Sequence, residues 1–388
     1  MADGWRPLPF REFVLKIHSR CDLACDYCYM YTMADQSWRL QPRQMPRTVV
    51  DQAVARIGEH AHSHGLTQVK LILHGGEPLL AGTDFITYAV GAAREAAGPG
   101  TRVDVVVQTN GLGLDHGYLE LLARLGVRVG VSIDGNAAAH DRRRKHPNGL
   151  GSHAGVAAAL RRLDGHPQRG DLFGGLLATI DVRNDPIAVY EALLTFNPPM
   201  IDLLLPHGNW TAPPPGRVPG SPETPYADWL ITVFDRWYQA APRETNVRLF
   251  TELMHVILGG TSGTESVGLS PTAVAVIQTD GTIEQSDVLK SAYPGAPLTG
   301  LHVARDQLDA ALAHPAVAAR QLGIRALCDD CLSCPVHRVC GAGHYAHRYL
   351  AGRGFLGPSV YCPDLLKLIS HVQAVMAADI AALANGRA

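Results

Sequence analysis

The sequence lacks any strong excess of charge, any long apolar run and any targeting segment. Its 34 lysines and arginines nearly balance 36 acidic residues, so a net charge of −2 gives no electrostatic case for binding nucleic acid or an anionic membrane. No apolar run approaches the ~20 residues that span a bilayer, so we expect no membrane partner. Residues 1–10 lack the basic and apolar regions of a secretory signal. We therefore expect a cytoplasmic protein, in which disulfides are disfavoured.

Cysteine is concentrated in two groups, three residues near the start of the chain and five near its end. In a reducing compartment such groups indicate metal ligands. Cys21, Cys25 and Cys28 follow a short strand-like run with the spacing C-x3-C-x2-C. Three thiolates can hold three irons of a [4Fe–4S] cluster and leave the fourth iron open to a ligand. The alternative is a zinc site for which His18 supplies the fourth ligand.

The first half of the chain alternates short β-branched runs with longer amphipathic ones. This order predicts parallel strands joined by helical crossovers, and six nearly continuously apolar strands favour an open or partial barrel. We predict an α/β fold, a partial (β/α)6 barrel followed by a C-terminal α+β domain. The predicted strands are Phe13–His18, Gln68–His74, Val103–Thr109, Val127–Ile133, Leu172–Ile180 and Met200–Pro206. The predicted helices are Thr48–His64, Asp84–Ala97, Leu114–Leu125, His153–Leu163, Pro186–Phe196, Tyr226–Ala240, Val247–Leu258 and Asp364–Ala384.

A segment rich in proline and glycine, residues 206–225, predicts a linker or bridging loop. We predict a barrel domain over 1–225, bridging helices and a hairpin over 226–300, and a cysteine-rich domain over 301–388. The hairpin, Ala273–Gln285, is indicated by an Asp-Gly turn between two short apolar runs.

Four loop motifs follow predicted strands, and in parallel α/β folds chemistry collects at that end of the strands. One is the cysteine loop, and the others are Gly75-Gly76-Glu77-Pro78, Thr109-Asn110-Gly111 and Ser132-Ile133-Asp134-Gly135. Two successive glycines let the backbone approach a ligand closely, and a neighbouring carboxylate can meet a cationic group. We therefore expect one site at the mouth of the barrel.

The cysteine spacing, with an aromatic residue before the third cysteine and GGEP after the next strand, resembles the radical S-adenosylmethionine (SAM) enzymes. The resemblance implies a [4Fe–4S] cluster with SAM on its open iron, and a GGEP segment that holds the amino group of SAM. The implied SAM-binding residues are Tyr27, His74, Gly75, Gly76, Glu77, Asn110, Ser132 and Arg144. Simpler roles stay open: Tyr27 as a packed aromatic, His74 as a strand end, and Asn110 as a turn residue. For Arg142 and Arg143 a solvated loop is the preferred interpretation.

The C-terminal cysteines have the spacing C-x2-C-x5-C with a distant fourth, which resembles the SPASM domain of peptide-modifying radical SAM enzymes. The resemblance implies one auxiliary [4Fe–4S] cluster held by Cys331, Cys334, Cys340 and Cys362. Ser286 and His344 stand where ligands of a second auxiliary cluster would lie, so we predict only one. Cys328 is a spare thiol or a competing ligand. A zinc ribbon is the structural alternative for this group.

Three segments, Cys21–Tyr31, 279–291 and 340–349, resemble the FxsB-type cyclophane-forming peptide maturases. The resemblance implies a radical enzyme that joins an aromatic ring carbon to the Cβ of a nearby residue in a ribosomally synthesised precursor peptide, with no catalytic residue assigned. It also implies an electron donor such as flavodoxin or ferredoxin. Addition of the peptide to the edge of the Ala273–Gln285 hairpin is one mode of recognition. The alternatives are thioether formation, epimerisation with Cys328 as hydrogen donor, sulfatase activation, or a zinc-binding interaction protein without catalysis.

Overall fold

The computed structural model describes residues 5–386, and a ten-stranded sheet forms their frame. Strands β1 to β6 lie side by side in chain order and pair in parallel, as predicted for a partial (β/α)6 barrel. The complete order is β10-β9-β8-β1-β2-β3-β4-β5-β6-β7. The strands are β1 (Glu12–His18), β2 (Gln68–Gly75), β3 (Arg102–Thr109), β4 (Val127–Ser132), β5 (Phe173–Thr179), β6 (Met200–Leu204), β7 (Asn246–Val247), β8 (Val274–Ile277), β9 (Thr282–Glu284) and β10 (Leu298–His302).

Helices connect the strands and bury one face against the sheet. Each of the eight predicted helices is present within three residues of its predicted ends. Local chemistry explains the starts of two of them: the Asp115 side chain caps α3, and the Asp185 side chain caps α7 just before a proline. The helices are α1 (Arg47–Ser63), α2 (Thr83–Ala97), α3 (His116–Arg124), α4 (Ala137–Arg143), α5 (His153–Asp164), α6 (Arg169–Leu172), α7 (Pro186–Leu194), α8 (Pro225–Tyr238), α9 (Arg248–Ile257), α10 (Leu308–Leu312), α11 (Pro315–Ala319), α12 (Asp329–Leu332), α13 (His337–Cys340) and α14 (Cys362–Ala384). Short 3-10 helices cover Ser37–Leu40, Pro78–Ala81, Asp287–Ser291, Gly323–Ala326 and Tyr345–Arg348.

The predicted hairpin exists as β8 and β9, but it lies inside the sheet. β8 pairs in parallel with β1, placing Val274 opposite Glu12, and β9 pairs with both β8 and β10. Both flanks of the hairpin are therefore occupied, and the prediction that a peptide adds to its edge is wrong. The same sheet contains strands from both sides of the predicted domain boundary after residue 225. That boundary stays a prediction.

Helix α14 is long and apolar enough, by length and composition alone, to cross a membrane. In this fold one face of α14 is buried, including Leu368, Ile369 and Val372, and the helix contacts α8 and α9. Ile380 and Leu383, in the last turns of the helix, are exposed. The burial of one face is the pattern of a helix that packs on a protein core.

Candidate functional site

A cavity of about 1240 Å³ extends from the carboxyl ends of the barrel strands to the start of β1 and β8, and we call it the mouth cavity. It brings together nearly all the residues predicted at the barrel mouth, which come from four loops and the end of α4. Of the predicted residues it is lined by Cys21, Cys25, Tyr27, Cys28, His74, Gly75, Gly76, Asn110, Ser132 and Arg144. Glu77 does not line it.

The cysteine loop is held in place by the segment that follows α4. The backbone N–H of Ala24 donates to the Lys145 carbonyl at 2.7 Å. Arg143 forms ion pairs with Asp26 at 2.7 Å and with Asp181 at 3.1 Å. The solvated-loop interpretation of this basic run is therefore wrong for Arg143, because the arginine sits on a helix and braces the loop.

The chemistry of the three thiols fits an iron–sulfur cluster. Burial raises the pKa of Cys21 to about 12 and that of Cys25 to about 11, and it also raises the pKa of Cys28. Three buried thiols become thiolates when a cationic metal centre compensates their charge. The zinc alternative gains no support, because His18 does not line the mouth cavity and its Nδ1 lies 2.9 Å from the Arg20 carbonyl oxygen.

Glu77 is turned away from the cavity and clamps two neighbouring loops. Its Oε1 accepts hydrogen bonds from Leu79 N–H at 2.9 Å and from the Thr109 hydroxyl at 2.7 Å, while Oε2 accepts from Asn110 N–H at 2.7 Å. Burial raises the pKa of Glu77 to about 7. In this arrangement the carboxylate positions Asn110, and Gly75 and Gly76 present the backbone to the cavity. A direct contact between Glu77 and SAM stays a prediction.

A buried polar triad joins the cysteine loop to the fourth strand. The Tyr27 hydroxyl donates to Asp134 at 2.5 Å and accepts from Arg144 at 2.7 Å. The Asp134 carboxylate also accepts from Thr179 N–H at 3.0 Å. Arg144 keeps its Nε buried without a hydrogen-bond partner. A buried N–H of a cation without an acceptor is costly, so this atom marks a place for an anionic or polar ligand group.

The other predicted residues are fixed by neighbours. Asn110 donates from Nδ2 to Asp22 at 2.6 Å and lies 3.7 Å from the Cys21 sulfur. Ser132 accepts from the Gln108 amide at 3.0 Å. His74 Nδ1 accepts from the backbone N–H of Gly75 at 2.8 Å, and burial lowers the His74 pKa to about 4. These side chains are therefore ordered before any ligand binds.

Sequence reasoning missed a buried ion pair beside the cysteines. Lys16, in the middle of apolar β1, pairs with Asp287, and its Nζ lies 3.1 Å from His74 Nδ1. Asp287 also accepts a hydrogen bond from the Tyr29 hydroxyl at 2.8 Å. Burial opposes the charge of Asp287, but Lys16 and His74 hold the carboxyl pKa well below its usual range. A lysine with apolar neighbours on both sides, in the middle of β1, was the available signal.

A group of three histidines, which we call the histidine wall, lines another side of the mouth cavity. His207, His344 and His347 have ring centroids 5.1–5.6 Å apart, and Tyr29 contacts His207 at 5.1 Å. Burial lowers the pKa of His207 to about 3 and also lowers the pKa of the other two. His207 Nδ1 and His347 Nε2 are buried without partners. The sequence pointed only to His344.

The five C-terminal cysteines gather around α12 and α13. Burial, followed by a hydrogen bond with Cys328, raises the pKa of Cys331 to about 12, and the charges of Cys340 and Cys362 act in the same direction. Burial raises the pKa of Cys340 to about 11, and the charges of Cys362 and Cys334 act in the same direction. The predicted ligands of an auxiliary cluster are thus neighbours, and Cys328 lies among them.

Comparisons with known proteins agree with this geometry. Residues 15–165 match the Radical SAM superfamily model. The serine-type anaerobic sulfatase-maturating enzyme of Klebsiella aerogenes is 30% identical over 42% of this chain, and the match covers only 38% of that enzyme. The cysteine-type anaerobic sulfatase-maturating enzyme of Clostridium perfringens is 23% identical over 72% of this chain and 74% of its own length.

A solved structure, native anSMEcpe with bound AdoMet and Kp18Cys peptide, superposes with a TM-score of 0.80 at 19% identity. The superposition covers 95% of this chain and 99% of that one. The predicted fold class is therefore confirmed, as is the radical SAM domain over the matched residues. The finer resemblance to the FxsB-type group stays a prediction.

Proposed function

We propose that this chain is a radical SAM enzyme that modifies a ribosomally synthesised precursor peptide by forming a three-residue cyclophane. The observation that carries the proposal is the mouth cavity, where three thiols, a paired-glycine turn and a buried arginine line a space of about 1240 Å³. That volume exceeds what one small cofactor fills and leaves room for peptide side chains. The relative solved with both AdoMet and a peptide supports a peptide substrate.

In this proposal Cys21, Cys25 and Cys28 hold a [4Fe–4S] cluster and the C-terminal cysteines hold an auxiliary one. When bound, the cluster would supply one electron to SAM, and cleavage of SAM would yield a 5′-deoxyadenosyl radical. The chain's own residues would bind and orient SAM. Gly75 and Gly76 line the cavity without side chains and so let SAM approach the backbone closely, and Arg144 offers its unpaired Nε to a polar group of SAM.

The histidine wall supports the later steps. Ring closure onto an aromatic side chain must end with loss of one electron, which the auxiliary cluster would accept, and of a ring proton, which is strongly acidic once that electron has left. A neutral imidazole of low basicity can accept the proton, and His207 Nδ1 and His347 Nε2 are unpaired. Tyr29 connects the histidine wall to the cysteine loop, because its ring contacts His207 and it directly follows Cys28 in the chain.

A second candidate is oxidation of a serine or cysteine side chain, which the similarity to sulfatase-maturating enzymes favours. Both reactions can remove two hydrogens from a peptide. Oxidation of a serine would leave an aldehyde that a hydrazide labels, whereas a carbon–carbon crosslink would not react. An epimerisation would leave the mass unchanged.

The test is anaerobic co-expression with candidate precursor peptides encoded beside the gene, followed by mass spectrometry. We expect a loss of two hydrogens, no hydrazide labelling, and tandem spectra without cleavage inside the crosslinked tripeptide. Cys25→Ala serves as the inactive control. Failure of the reconstituted, reduced protein to convert SAM to 5′-deoxyadenosine, with and without peptide, would refute the radical SAM proposal. Hydrazide labelling would instead favour the second candidate, oxidation of a serine or cysteine side chain.

A further inference from the structure

A second group of metal-type ligands lies on the outside of the barrel, away from the mouth cavity. His60 and His64 are one turn apart at the end of α1, and Asp309 lies in α10. The candidate ligand atoms of the three residues all lie within 4.8 Å of one another. His60 Nδ1 is 2.5 Å and His64 Nε2 is 3.1 Å from the same oxygen, Asp309 Oδ1.

The donor set is one that transition metals use. Two imidazole nitrogens and one carboxylate oxygen suit Zn²⁺, which takes such ligands at about 2.0–2.2 Å and completes its coordination with water. Histidines spaced i and i+4 on a helix face the same side, so they can bind one ion without distortion. His64 and Asp309 are partly exposed and leave an approach for the ion, whereas His60 is only 2% exposed.

The second nitrogen of His60 distinguishes a metal site from a simple hydrogen-bonded cluster. His60 Nε2 is buried without a hydrogen-bond partner, beside the rings of Phe10 and Phe13 at 5.7 and 5.9 Å. Without a metal, a neutral His60 donates its Nδ1 proton to Asp309, and Nε2 is then an acceptor without a hydrogen-bond partner. With a metal on Nδ1 the proton moves to Nε2, where the nearby Phe10 backbone can accept it.

We infer that His60, His64 and Asp309 form a binding site for one divalent transition metal ion of the Zn²⁺ type. The site joins α1 to α10. Helix α1 also contacts the residue that follows β10, because Arg56 donates to the Val303 carbonyl at 3.1 Å. None of the three ligands lines the mouth cavity. The metal therefore fastens two parts of the fold, and its site is independent of the proposed radical chemistry.

The test uses the full-length protein with its clusters reconstituted, so that the cysteines are already occupied. Anaerobic calorimetric titration with Zn²⁺ is expected to show one site per chain. His64→Gln is expected to weaken it by at least about 100-fold, because loss of even an outer partner of a ligand costs 10–100-fold. His62→Gln, an exposed histidine on the same helix, is the matched control and is expected to change nothing.

A spectroscopic measurement identifies the ligands directly. Cu²⁺ added to the same protein should give an electron paramagnetic resonance spectrum with coupling to two imidazole nitrogens, reduced to one in His64→Gln. Zn²⁺ should also raise the melting temperature of the wild type and of His62→Gln but not of His64→Gln. Absence of a Zn²⁺ site beyond the clusters, or equal losses in the two variants, would overturn the inference.

Discussion

Replacing Glu77 with glutamine separates a positioning role from direct ligand contact, and the expected size of its effect follows from three hydrogen bonds. Glutamine keeps the oxygen that accepts from Leu79 and Thr109, but its NH₂ group faces the Asn110 N–H at the place of Oε2. One buried N–H without an acceptor costs about 1–3 kcal/mol.

The pKa of Glu77 gives this cost a pH dependence of known sign. The pKa is raised from 4.5 to about 7 in the folded chain, so the folded state holds the proton more tightly than the unfolded state. Wild-type stability therefore falls as pH rises from 4.5 to 7, by up to about 3 kcal/mol, and Glu77→Gln escapes this loss. The variant should be clearly less stable than wild type at pH 5 and close to it at pH 8.

The measurement is the urea midpoint of wild type and variant under anaerobic conditions at pH 5, 6.5 and 8, followed by near-ultraviolet circular dichroism. Glu95→Gln, an exposed position on α2, is the control and should track wild type at each pH. If the difference in urea midpoint between wild type and Glu77→Gln stayed constant or grew as pH rises, the reasoning would be refuted. At pH 8, where the stabilities converge, SAM affinity then reports whether the carboxylate itself contacts SAM.

Three further predictions concern other parts of the site. Lys16→Met should cost about 3–5 kcal/mol because it leaves Asp287 buried and unpaired, and adding Asp287→Asn should restore part of the melting temperature. Cys331→Ala should lose the iron of one cluster by elemental analysis, whereas Cys328→Ala should retain it; equal iron loss would make Cys328 a ligand. Arg144→Lys should weaken SAM binding about 10–100-fold by equilibrium dialysis, the value of one or two charged hydrogen bonds, and unchanged affinity would remove Arg144 from the binding site.

Much of the barrel could be predicted from local pattern. The strands and helices of residues 13–204 have apolar periodicities that depend only on neighbouring residues, and their ends carry capping side chains such as Asp115 and Asp185. The thiol spacing at Cys21–Cys28 likewise predicted a metal centre, because the three thiols lie close together in the sequence. These features need no knowledge of distant partners.

The parts that could not be predicted depend on contacts between remote segments. Nothing near β8 indicates that it pairs with β1, since a strand's partner is chosen by the whole fold. β10 has only five residues and one bulge, so its pattern is weak. Glu77 illustrates the same limit within a motif: the sequence places it just after β2, yet which groups its carboxylate meets depends on the loop after β3.

The pairing of β1 with β8 has a consequence for how the protein is made. The ribosome delivers β1 and the cysteine loop early. The strand that flanks β1 on its outer side, β8, and the carboxylate that neutralises Lys16, Asp287, are synthesised only in the last third of the chain. Until then β1 exposes an unpaired edge and an uncompensated cation beside the three thiols. The cluster site would therefore be incomplete in the nascent chain. We expect stable insertion of the cluster only after release of the full-length polypeptide.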